Sequence, residues 1–132
     1  MNAEIITLPK IEDPFGNYAI IEGGAIPFDI KRVYYLYDIP AGAERGGHSH
    51  IDQLAFLIAV SGSFDVILDN GSETVTVTLN KPDNGLLINR GIWRELNNFS
   101  AGAVCLVMSS DVFDESDYIR DYEAYLQSVE KR

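Results

Sequence analysis

Between Lys31 and Ser109 the chain advances in short runs of β-branched, aromatic and aliphatic residues, each stopped by a turn signal, and no helical periodicity intervenes. The run from Phe64 to Leu79, FDVILDNGSETVTVTL, is the clearest of these: two alternating segments joined through Asp69-Asn70-Gly71, where Asn-Gly favours the positive φ angles of a hairpin. Short strands with no crossover helices cannot build a parallel sheet. They predict an all-β, antiparallel jelly-roll or sandwich. Further strands are expected at 3–8, 18–22, 53–59, GLLIN, IWREL and AVCLVMSS. The segment FDIKRVYYLYDIP is expected to be a long strand with Arg32, Tyr34, Leu36 and Asp38 on one face and Lys31, Val33, Tyr35 and Tyr37 on the other.

Only the tail changes period. In DESDYIRDYEAYLQSVEKR, Asp114 or Ser116 can act as N-cap, and Ile119, Tyr122, Leu126 and Val129 recur at helical spacing. The expectation is one domain over 1–132, a barrel at about 3–112 and a short amphipathic C-terminal helix at about 115–130. Tyr118, Tyr122 and Tyr125 read as packing or dimer contacts.

The formal charge of −10, with only 10 lysines and arginines, argues against sequence-independent nucleic-acid binding, which needs cations to neutralise phosphates. A single cysteine, Cys105, lies in an apolar run and reads as a core thiol. With no disulfide available, no leader pattern at the N-terminus and no apolar run long enough for a membrane helix, a cytoplasmic protein away from membranes is expected.

Both histidines of the chain fall in one element, RGGHSH at 45–50. Residues two apart on a strand share a face, so His48 and His50 project side by side. Such a pair can begin a metal site, but Gln53, Leu54 and Ala55 stand where an acidic ligand would fall, Asp52 is out of phase, and no third histidine exists. No metal and no cofactor is therefore expected. Two imidazoles, with unperturbed pKa values of about 6.5, are instead suited to moving protons near neutral pH.

The run of motifs IKRVYY, RGGHSH, SGSFDVILDNG, INRGIWREL and DESDYIRDY resembles the WxcM-like or FdtA-type sugar 3,4-ketoisomerases of the cupin superfamily, over about Ile11 to Tyr122. The resemblance implies a cupin barrel, catalysis without metal, and action on a dTDP-4-keto-6-deoxyhexose whose keto group moves from C4 to C3 in deoxysugar biosynthesis. It also implies a homodimer, with N-terminal strands open to exchange. His48 and His50 become the catalytic pair, with Tyr37, Tyr35 or Arg45 as donors to enolate charge. Guanidiniums suit a diphosphate, and Arg32, Arg45, Arg90 and Arg94 are the candidates. Trp93, Phe15 or Tyr18 are candidates to stack on thymine.

Three departures stand out. Family members often carry lysine and glutamine where this chain has Ile51 and Ala55, and often a histidine where Arg94 follows Trp93. Together, Arg94 and Phe15 resemble the branch whose 3-keto product has the gluco configuration. A non-catalytic nucleotide-sugar-binding cupin and a metal-dependent cupin enzyme remain open as alternatives.

Overall fold

The computed structural model describes residues 1–132. Twelve strands and one α-helix follow each other as β1 (Glu4–Thr7), β2 (Lys10–Ile11), β3 (Tyr18–Ala19), β4 (Arg32–Leu36), β5 (Arg45–His50), β6 (Ala55–Ser61), β7 (Phe64–Asp69), β8 (Thr74–Leu79), β9 (Asn84–Ile88), β10 (Trp93–Asn97), β11 (Val104–Ser109), β12 (Tyr118–Ile119) and α1 (Tyr122–Glu130). They form two five-stranded antiparallel sheets, ordered β1-β9-β6-β11-β4 and β12-β5-β10-β7-β8, with β2-β3 as a separate two-stranded ribbon. The expected antiparallel two-sheet barrel is therefore the observed one. No helix is long and apolar enough to cross a membrane.

Alternation along the strands builds the core between the sheets. Leu57, Leu86, Ile88, Cys105 and Val107 from the first sheet meet Phe64, Val66, Leu68 and Leu96 from the second. β6 is buried on both faces. Phe56 and Ile58 turn outward and join Leu87 and Met108 under Leu8 and Ile26, which the N-terminal segment folds across that sheet. This second layer explains why β6 reads as a continuous apolar run rather than an alternating one. Cys105 is fully buried, and burial pushes its thiol up to about 12, as a core residue requires.

The β7-β8 hairpin has the expected strands, with Asp69 opposite Thr74. Its turn lies one residue later than a two-residue Asn-Gly loop: the Asn70 N–H donates to the Glu73 carbonyl, with Gly71 at φ 94°. The strand from Phe28 to Pro40 is shorter than expected. It ends at Leu36 because Asp38 takes a positive φ of 54°, which turns the chain out of the sheet.

The tail differs most. A 3-10 turn at Glu115–Asp117, capped by Asp114, precedes β12, and the α-helix starts only at Tyr122 with Asp121 as its N-cap. The helical spacing of Ile119 misleads, because Tyr118 and Ile119 pair with His50 and Ser49 along the free edge of β5. A strand edge whose N–H and C=O groups need partners outweighs an intrinsic preference for helix.

α1 is fastened to the second sheet by aromatic residues. The fully buried Tyr125 places its hydroxyl 2.8 Å from the Gly91 carbonyl and 3.0 Å from that of Asp69, and Tyr122 donates to the Asp69 carboxylate at 2.6 Å. Tyr125→Phe leaves these buried carbonyls short of a donor, and is expected to lower stability by about 1–2 kcal/mol, read as a drop in the urea midpoint with an unchanged m-value.

Candidate active site

β5 runs through the second sheet with β12 on one edge and β10 on the other, and its inward face carries His48 and His50. Their rings lie 4.9 Å apart at right angles, as the two-residue spacing predicts. Cross-strand pairing adds the neighbours: Arg94 on β10 is directly opposite His48, and Tyr118 on β12 is opposite His50. The facing sheet supplies Arg32, Tyr34 and Leu36 from β4, with Leu57 and Val107 beneath. The space between is a cavity of about 540 Å³ that opens towards Glu44 and Arg45 on one side and Phe113 and Arg120 on another.

Within it, His48 lines the wall and keeps a buried Nε2 with no hydrogen-bond partner. His50 stands one step deeper, its ring 4.4 Å from that of Tyr118, and bonds through Nδ1 to Asp117 at 3.0 Å. Gly47, immediately before His48, faces the other way against the Trp93 indole, which occupies the place a Cβ would need. Only glycine lets β5 lie this close to the layer behind it.

Charge in the cavity runs opposite to that of the chain. Arg32, Arg45, Arg94 and Arg120 line it against the single carboxylate of Glu44, in a protein of net charge −10. Arg94 is fully buried and its only side-chain bonds are to the Ile92 carbonyl, at 2.9 Å from Nη2 and 3.3 Å from Nε. Burial lowers it to about 10, so it stays cationic at neutral pH. Arg32 lies 4.4 Å over the Tyr34 ring and donates to the Tyr118 hydroxyl at 3.3 Å. Arg120 sits 4.1 Å over Tyr118 and is clamped by Glu115 at 2.7 and 2.9 Å.

These surroundings hold both imidazoles neutral. Burial, then the Arg94 guanidinium, pushes His48 down to about 3, and the same two causes, followed by Arg32, push His50 to about 3. Tyr34 is raised, chiefly by burial, so its phenol is a donor.

The sequence candidates divide accordingly. His48, Arg32, Arg45 and Arg94 line the cavity and His50 adjoins it. Tyr35 and Tyr37 do not: they occupy the outer face of β4, 60% and 62% exposed, because alternation that turns Arg32, Tyr34 and Leu36 inward turns them out. Tyr34 and Tyr118 are the tyrosines that line the cavity. Trp93 is 4% exposed beneath α1, its ring 5.2 Å from Tyr122 and 5.6 Å from Tyr125, so no base can stack on it. Phe15 is fully exposed in the turn between β2 and β3, and neither it nor the 57%-exposed Tyr18 reaches the cavity of this chain. Arg90 is exposed in the turn before β10. Tyr118, Arg120, Phe113 and Asp117 escape a sequence reading because the tail looks helical; the strand break DYI before RDY is the one signal that could have found them.

A divalent cation does not fit this donor set. No group of three His, Cys, Asp or Glu side chains could share an ion, and the nearest cavity neighbours of the imidazoles are guanidiniums and phenols.

A two-sheet antiparallel barrel with a cationic cavity and an inward HxH pair is the architecture of a cupin-type barrel protein with an internal site. The family model described as FdtA, WxcM-like, C-terminal, matches residues 1–130, and the chain belongs to that family. It is 39% identical over 99% of its length, and 95% of the relative's, to the TDP-4-oxo-6-deoxy-alpha-D-glucose-3,4-oxoisomerase of Aneurinibacillus thermoaerophilus. The sugar 3,4-ketoisomerase of Thermoanaerobacterium thermosaccharolyticum, solved in complex with TDP, is 41% identical with a TM-score of 0.95, covering 99% of this chain and 96% of that one. The TDP-quinovose 3,4-ketoisomerase of Campylobacter jejuni is 42% identical with a TM-score of 0.90, covering 96% and 98%.

Neutral histidines in the folded state have a thermodynamic consequence. Unfolding releases them to about 6.5, so below that pH the unfolded chain binds protons that the native chain refuses. The native state keeps its full advantage above about 6.5 and loses it as pH falls towards about 3. Urea midpoints measured from pH 7.5 to 4 are expected to decline through this window, and less steeply in His48→Asn.

Proposed function

We propose that the protein is a TDP-sugar 3,4-ketoisomerase that converts TDP-4-keto-6-deoxyglucose to the 3-keto sugar through an enediol, without a metal or cofactor. The observation that carries this reading is a neutral His48 in the cavity wall, its buried Nε2 without a hydrogen-bond partner, directly opposite the buried cation Arg94. A 4-keto group acidifies the hydrogen on C3. His48 removes that hydrogen, negative charge passes to O4, and Arg94 with the phenols of Tyr34 and Tyr118 stabilises it as the enediol forms. The O3 proton passes to O4 by way of His50, and a proton delivered to C4 replaces the one taken from C3, which leaves the ketone at C3 and a hydroxyl at C4. His50 is the second proton carrier.

Arg32 and Arg45 suit the diphosphate, since guanidiniums bind phosphate oxygens in pairs and neither is held by a carboxylate, whereas Glu115 already occupies Arg120. A 3-keto product of gluco configuration is favoured by Arg94 at the position after Trp93 and by the 42% identity to a TDP-quinovose enzyme. The working unit is a homodimer. Its support is the aromatic and aliphatic outer face of β4, with Val33, Tyr35 and Tyr37 all more than half exposed, and the β2-β3 ribbon whose Phe15 meets nothing in its own chain. β1 pairs with β9 of the same chain, so exchange is not needed to satisfy that edge.

Incubation of the purified protein with TDP-4-keto-6-deoxyglucose, with the product trapped by a 3-aminotransferase, is expected to give an equatorial C4 hydroxyl by NMR. His48→Asn is expected to abolish turnover while TDP still binds. Binding without turnover in the unaltered protein would instead make it a carrier of nucleotide sugars. Light scattering is expected to give twice the mass of the chain, and Tyr35→Glu with Tyr37→Glu to shift it towards the monomer.

A further inference from the structure

Asp117 is buried in a chain whose acidic residues are otherwise mostly at the surface, and no candidate role so far explains it. Its two carboxylate oxygens meet three nitrogens. Oδ1 accepts from the Asp52 amide at 2.8 Å; Oδ2 accepts from the Gln53 amide at 3.3 Å and lies 3.0 Å from Nδ1 of His50. Its carbonyl also accepts from the Ile51 amide at 2.9 Å. Asp117 thus closes the turn that follows His50 and grips the imidazole at once, from a position 67 residues away in sequence.

An ionised carboxylate can only accept, so the proton of a neutral His50 bonded to it belongs on Nδ1. The free electron pair is then on Nε2. Without such a partner a neutral imidazole divides between two tautomers, and only one of them presents a base at a given nitrogen. β12 makes the contact durable, because its pairing with β5 sets Tyr118 opposite His50 and brings the preceding residue over the ring.

We propose that Asp117 is the positioning residue of the active site, holding His50 as the Nδ1–H tautomer so that its Nε2 is the proton-accepting atom. This rests on the ketoisomerase reading for its catalytic consequence, but not for the tautomer itself. The same logic orients the histidine in hydrolase triads, where the acid sets tautomer and angle without taking the proton.

The chain has only two histidines, so ¹⁵N-histidine labelling gives two imidazole spin systems, which His48→Asn assigns. In the unaltered protein at pH 7.5, His50 is expected to show a protonated Nδ1 and an unprotonated Nε2. A His50 protonated on Nε2, or averaged between the two forms, overturns the proposal, whatever the enzyme's activity. Asp117→Asn has one acceptor oxygen where the carboxylate has two, so it cannot serve both the Asp52 amide and His50. It is expected to lose the single tautomer and to lower kcat on the order of 10²-fold with KM little changed. An Asp117→Asn protein with the original tautomer and kcat also overturns it. If that variant fails to fold, the spectrum of the unaltered protein still decides. Absence of turnover in the unaltered protein would count against the ketoisomerase reading and leave the tautomer result standing.

Discussion

The site depends on β5 being gripped along both edges. On one side β10 sets Arg94 opposite His48; on the other β12 sets Tyr118 opposite His50 and brings Asp117 onto its ring. Behind the strand, Trp93 presses on Gly47 and is itself backed by Tyr122 and Tyr125 of α1. These contacts on three sides hold the two imidazoles at 4.9 Å and at right angles. The C-terminal tail is therefore part of the candidate site, which it lines with Tyr118 and Arg120.

Electrostatics follows from the same burial. A fully buried guanidinium with only a carbonyl for a partner is costly, and the cavity keeps it unneutralised. That cost is consistent with a group reserved for charge that appears only during reaction, such as an enolate. The guanidinium also discourages protonation of both histidines, after burial itself, so both imidazoles are neutral at neutral pH. Acidic residues on the surface and arginines in the cavity divide the protein into a soluble exterior and an anion-seeking interior.

Local rules accounted for much of the fold. The hairpin around Asn70-Gly71, the inward pairing of His48 and His50, and the two faces of β4 all follow from a side-chain period of two, which needs no knowledge of neighbours. Choosing between the faces of β4 is a different matter: the sequence reading selects Tyr35 and Tyr37, which lie outside, because alternation says that the two faces differ without saying which side is enclosed. Trp93 failed for a related reason. Its strand is buried on the outer face too, once α1 lies across it, and an aromatic in such a strand is packing rather than a platform.

By itself, then, the sequence determined the antiparallel all-β class, the places of most strands and turns, the shared face of the HxH pair and, through its motifs, the family. Tertiary structure alone decided that Tyr118 and Ile119 form a strand, that Asp117 reaches His50, and which arginines share the cavity. Sequence patterns record interactions between near neighbours along the chain. The pairing of β12 with β5 satisfies backbone groups nearly 70 residues away, and nothing in the local periodicity of DESDYIRDY encodes where that open edge will be.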